Sequence, residues 1–100
     1  MNTLIKNNIP KIVALFKKYK VSSAFLFGSY ATEKEKTASD VDFLYSFSAD
    51  LDIETYANNY FSLADELEKL LNKKVDLVAE KTIKNPFLKE SIDRTKIQLL

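Results

Sequence analysis

Five residues have the types and spacing to do chemistry: Gly28 and Ser29, Asp40 and Asp42 after a ten-residue gap, and Asp76 further on. Gly28 is the only glycine in the chain and follows an apolar run. There it lets the backbone turn sharply and come close to a phosphate. Ser29 adds a hydroxyl and an N–H at the start of a short helical turn, where anions are favoured. Asp40 and Asp42 stand one residue apart, so on a strand both project from one face while Val41 and Phe43 project from the other. Two carboxylates in a partly buried setting repel, and a divalent cation relieves that conflict. Asp76 lies in Val75-Asp76-Leu77-Val78, a β-branched run in which an acid is costly unless it has a partner. If its strand lies beside the one bearing Asp42, three carboxylates converge, a set suited to two-metal, in-line displacement at phosphorus.

Taken singly, Gly-Ser after a strand is a turn, and Asp-x-Asp is a solvated strand end. Their combination across a strand, turn and second strand is what points to nucleotidyl transfer. The Lys-Ser/Thr of a phosphate-binding P-loop is absent, so that alternative fails. Lys34 and Lys36 could reach nucleotide phosphates, although alternating charge also describes a solvated loop. Tyr30 reads as a surface tyrosine that could stack on a base. Lys73 and Lys74 suit the negative end of a helix.

The elements that must position these residues follow from periodicity. Ile9, Ile12, Val13, Phe16 and Tyr19 have helical spacing, with Pro10 suited to the first turn. Val21 to Phe27 reads as a buried strand, residues 29–32 as a helical turn and residues 33–39 as a polar loop. Val41 to Phe47 is a second strand. Asp50 or Asp52 can cap a long helix to about Leu71, its buried face lined by Tyr56, Tyr60, Leu63, Leu67, Leu70 and Leu71. Asn72 suits the left-handed residue that ends it. Lys74 to Ala79 forms a third strand, and Pro86 opens a last helix carrying Phe87, Leu88 and Ile92. The order α-β-β-α-β-α predicts one α/β (α+β) domain over residues 1–100, a small mixed sheet with helices mainly on one side. The apolar tail through Leu99-Leu100, with the final helix, either packs on the sheet or forms a partner surface.

Composition narrows the function classes. The chain has 100 residues, no cysteine and no histidine. Disulfides, thiolate sites and imidazole catalysis are excluded, so any metal has oxygen ligands, which favours Mg²⁺ or Mn²⁺. A net charge of +1 gives no basic field for DNA binding. No apolar stretch approaches the ~20 residues of a membrane span, and the N-terminus lacks a signal-peptide layout. The expectation is a cytoplasmic protein.

Gly28-Ser29, ten residues, then Asp40-Val41-Asp42 resembles the signature of the minimal nucleotidyltransferases, small relatives of the polymerase-β-like superfamily. The helix end Leu70-Leu71-Asn72-Lys73-Lys74 followed by Val75-Asp76-Leu77-Val78 is similar to the family's third-carboxylate region. Asn85 to Ile92 resembles its closing helix. The resemblance implies a mixed sheet flanked by helices, metal binding by Asp40 and Asp42, and Asp76 as a further ligand or as the base. It implies that Gly28 and Ser29 hold the β- and γ-phosphates of a nucleoside triphosphate, commonly ATP. Where members often carry an arginine after Gly-Ser this chain has Tyr30, and Thr32-Glu33-Lys34 replaces a glycine-containing turn. Lys34 and Lys36 are then the candidate phosphate cations.

Stand-alone members often accompany a HEPN-domain ribonuclease toxin. The role implied is an antitoxin that joins that toxin in a hetero-oligomer and attaches AMP to one of its tyrosines, releasing pyrophosphate. A non-catalytic antitoxin that acts by binding alone is one alternative, and transfer to a small molecule is another. With one domain there is no second unit to bind an elaborate acceptor, so another molecule must complete that pocket.

Overall fold

The computed structural model describes residues 1–100, arranged as a four-stranded sheet with three helices. Helix α1 spans Thr3–Lys18, strand β1 Val21–Phe27 and strand β2 Val41–Phe47, with a single 3-10 turn at Gly28–Tyr30 between the strands. Helix α2 spans Ile53–Leu71, β3 Val75–Ala79, α3 Pro86–Thr95 and β4 Ile97–Gln98; a second 3-10 turn covers Glu80–Thr82. The sheet order is β3-β2-β1-β4. β2 and β3 run parallel, while β1 is antiparallel to both β2 and β4. No helix is long and apolar enough to cross a membrane.

Alternation along the strands divides the sheet into two faces. Ala24 and Leu26 of β1, Val41, Phe43 and Tyr45 of β2, and Val75 and Leu77 of β3 enter one core cluster. α1 and α2 cover that face. Ile5, Ile12 and Phe16 form the fully buried stripe of α1, and Phe16 meets Phe43 edge-on at 5.4 Å. Leu63, Leu67 and Leu71 form the corresponding stripe of α2, at the four-residue spacing of one helical face. The opposite face carries Asp42 and Leu44, and α3 reaches only its lower part, where Ile92 is buried near Leu44. The end bearing Asp42 is left without a helix over it.

Caps explain the helix limits. The Asn2 side chain accepts from Leu4 N at 2.8 Å, so α1 begins well before the first turn expected at Pro10. Pro10 therefore lies inside the helix, on its exposed side, and its missing N–H removes one bond of the helical ladder there. Asp52, one of the two expected caps, accepts from Thr55 N at 2.7 Å. Asn72 takes the left-handed conformation, φ 51°, at the other end of α2. Asn85 accepts from the N–H groups of Phe87 and Leu88 and starts α3, with Pro86 in its first turn.

Of the apolar residues on α3, Ile92 is buried, while Phe87 and Leu88 are 81% and 51% exposed. Five residues at about 100° each carry Phe87 about 140° around the helix from Ile92, so one narrow stripe cannot bury both. Tyr30 is not a surface residue but only 2% exposed and part of the core cluster, because the turn at Gly28 directs the third residue back inward. The tail packs on the sheet and adds a fourth strand to the expected order. Leu26 pairs with Ile97 and Phe25 with Gln98, and the Ala24 backbone exchanges hydrogen bonds with Leu99 and Leu100.

Candidate active site

The register places the acids. Asp42 is the cross-strand partner of Asp76 on β3 and of Phe27 on β1, so Phe27, Asp42 and Asp76 form one row on the open face. Asp40 lies immediately before β2. Asp40 and Asp76 are exposed and Asp42 is half-buried. Burial first, then the charges of Asp76 and Asp40, push the Asp42 carboxyl up to about 6. No lysine or arginine forms an ion pair with any of the three. Their side chains do not stand as a ready group of three at metal-ligating spacing.

Gly28 completes this corner. It closes β1 with φ +72°, the left-handed region in which a side chain is strained. A Cβ built there would fall on the Asp42 carboxylate oxygen, with the carboxylate carbon only 3.1 Å away. The glycine thus supplies both a tight turn and the space into which the middle acid of the row extends. After it the chain folds into a compact turn. The Gly28 carbonyl accepts from the N–H groups of Ala31 and Thr32, and the Ser29 carbonyl accepts from Lys34 N at 2.9 Å. The first N–H groups of such a turn have no partner within it, which leaves them available to an anion.

Gly28, Ser29, Asp40, Asp42 and Asp76 therefore lie around one end of the sheet. Lys34 is tied to Ser29 through its backbone, and its side chain is exposed and free of ion pairs. Lys36 is exposed too; its N–H donates to Ser39 Oγ at 2.9 Å, and Ser39 N donates back to the Lys36 carbonyl, in a turn leading into Asp40. The structure brings neither lysine side chain onto the acids. Lys73 does not simply end α2. Its ammonium donates to the Thr37 carbonyl, 36 residues away in sequence, and so ties the loop before Asp40 to the entry of β3. Phe27, missed in the sequence, walls the row on the β1 side. The available signal was the period of two, which sets it on the face opposite Leu26.

A sequence profile described as polymerase beta, nucleotidyltransferase, matches residues 10–100. This chain belongs to the polymerase beta nucleotidyltransferase family. The enzyme is similar to two proteins of Methanocaldococcus jannaschii, both provisionally named protein adenylyltransferases. It is 43% identical to the first over 82 residues, covering 80% of this chain and 78% of that protein. It is 43% identical to the second over 83 residues, covering 83% of this chain and 81% of that protein. Among solved structures, one described as a minimal nucleotidyltransferase superimposes with a TM-score of 0.74 at 27% identity, covering 93% of this chain and 90% of that one. A chain from a complex of tri-AMPylated Shewanella oneidensis HEPN toxin with MNT antitoxin superimposes with a TM-score of 0.65 at 26% identity, covering 95% of this chain and 71% of that one. A chain from a toxin–antitoxin crystal with AMP-PNP gives a TM-score of 0.72 at 27% identity, covering 93% of this chain and 73% of that one.

Proposed function

We propose that this nucleotidyltransferase moves AMP from ATP to a tyrosine hydroxyl of a HEPN-type partner protein, with Mg²⁺ as its metal, and acts as the antitoxin of that pair. The observation that carries the reading is the placement of Asp42. It pairs across the sheet with Asp76, follows Asp40 by two residues and extends into space that Gly28 alone can leave open. The relatives named for protein adenylylation and the structural likeness to a complex containing an AMPylated toxin support the class of acceptor.

The donor set fits a hard divalent cation: it is all oxygen, it faces solvent, and burial together with the charges of Asp76 and Asp40 disfavours the ionised Asp42 carboxylate, a cost that a bound cation would relieve. Asp40 and Asp42 would hold the ion, with Asp76 as the third carboxylate. When bound, such an ion supplies neutralisation of phosphate charge and a more acidic attacking hydroxyl. Gly28 and Ser29 hold the β- and γ-phosphates at the turn, which leaves the α-phosphate over the acid row. The acceptor oxygen forms a bond to the α-phosphorus as the bond from that phosphorus to the β-bridging oxygen breaks. Pyrophosphate departs with the electron pair, and the hydroxyl proton passes to Asp76. The protein's part is positioning and electrostatic stabilisation rather than covalent chemistry.

Pyrophosphate release tests this. With ATP, Mg²⁺ and the partner present, the wild-type chain releases pyrophosphate, and the chain carrying both Asp40→Asn and Asp42→Asn does not. If the double variant still releases it at the wild-type rate, the site is elsewhere. If it is silent yet neutralises the partner fully, the antitoxin acts by binding alone.

A further inference from the structure

The third carboxylate sits on an edge strand, held in register from one side only. β3 pairs with β2 and has no neighbour beyond it. The first bond of that pairing runs from Val41 N to the Lys74 carbonyl at 3.0 Å. Successive backbone groups of a strand point to opposite sides, so the next N–H, that of Val75, faces the open edge. A backbone N–H left there has only water or a side chain to meet it. Here Glu68 Oε2 accepts it at 3.0 Å, reaching from α2 to a residue seven positions on, past the helix end and turn. Glu68 is half-buried, has no ion-pair partner, and stands one turn before the end of α2.

We propose that Glu68 is a positioning residue for Asp76: its carboxylate fixes the start of β3 so that Asp76 stays level with Asp42. The residue bonded by Glu68 immediately precedes Asp76, and Asp76 is the direct partner of Asp42. The Lys73 contact to Thr37 secures the loop before Asp40 from the same helix end. The end of α2 therefore holds both approaches to the acid row. The role of Glu68 toward the metal rests on the function proposed above; its hold on the strand does not.

The test uses the full chain in three forms: wild type, Glu68→Ala and Glu68→Gln. Glutamine keeps an acceptor oxygen at the same reach, so it should rescue what alanine loses. Mn²⁺ binding in the presence of AMP-PNP, followed by electron paramagnetic resonance, should weaken about ten-fold or more in Glu68→Ala, the scale of losing a group that orients a ligand, and stay near wild type in Glu68→Gln. Amide exchange in the metal-free protein should quicken at Asp76 as well as Val75 in Glu68→Ala, with Leu67 unchanged. Faster exchange confined to Val75, or unchanged Mn²⁺ binding in Glu68→Ala, would overturn the proposal, as would Glu68→Gln behaving like Glu68→Ala. A wild-type chain that binds no Mn²⁺ would refute the metal-dependent function, and exchange at Asp76 would still decide the strand-holding role.

Discussion

Asp42 carries the energetic conflict of the acid row in a single side chain. Its carboxyl titrates at about 6 instead of the ordinary 3.8, raised by burial and by Asp76 and Asp40. The folded state therefore holds the proton more tightly than the unfolded state. The resulting stabilisation is complete below about pH 4 and disappears as pH rises through 6. A displacement of that size corresponds to about 3 kcal/mol at full weight, and solvent screening of this half-buried group reduces it to about 1–2 kcal/mol. Asp42→Asn should accordingly stabilise the metal-free protein at pH 7 by about 1–2 kcal/mol, with the difference from wild type vanishing near pH 4. Urea titrations at a series of pH values measure this directly. An asparagine variant less stable than wild type at pH 7 would show that burial and the neighbouring acids do not disfavour the Asp42 carboxylate as described.

At the scale of elements, the junction of β1 with its turn carries the most constraint for its length. Gly28→Ala meets two separate obstacles, a positive φ and the Asp42 carboxylate. The backbone conformation costs about 1–2 kcal/mol for alanine. Displacing the acid by about 1 Å can reduce transfer on the order of a hundred-fold. The expected pattern is a modest fall in melting temperature with a much larger fall in kcat; activity that declines only in step with the folded fraction would contradict it. The strands on either side of this junction were legible in the sequence because Val21 to Phe27 and Val41 to Phe47 are β-rich runs bounded by turn residues. Other elements were less so. Pro10 suggested a helix start, but burial of Ile5 and the cap at Asn2 outweigh one missing N–H on an exposed side. Ile97-Gln98 is too short to show a period, and it becomes a strand only because Ala24 offers its backbone groups to Leu99 and Leu100. Tyr30 was misplaced because the direction of a side chain in a 3-10 turn depends on the preceding left-handed glycine. Glu68 gave no local sign, since its partner is a backbone N–H seven positions on.

For the molecule as a whole, the open end of one sheet face is the feature on which the proposed function rests. α1 and α2 bury the opposite face, α3 covers the lower part of this one, and the acid row remains uncovered. Exposed Phe61 and Phe87, at 69% and 81%, leave apolar area on both α2 and α3 uncovered. The proposed reaction is transfer of AMP to a partner protein. Its most direct test is the intact mass of a HEPN-domain protein encoded beside this chain, measured after incubation with the chain, ATP and Mg²⁺. The expected result is a gain of one or more adenylates, absent when Asp40 and Asp42 are both replaced by asparagine. An unchanged mass with a stable complex formed would contradict catalysis and leave neutralisation by contact alone.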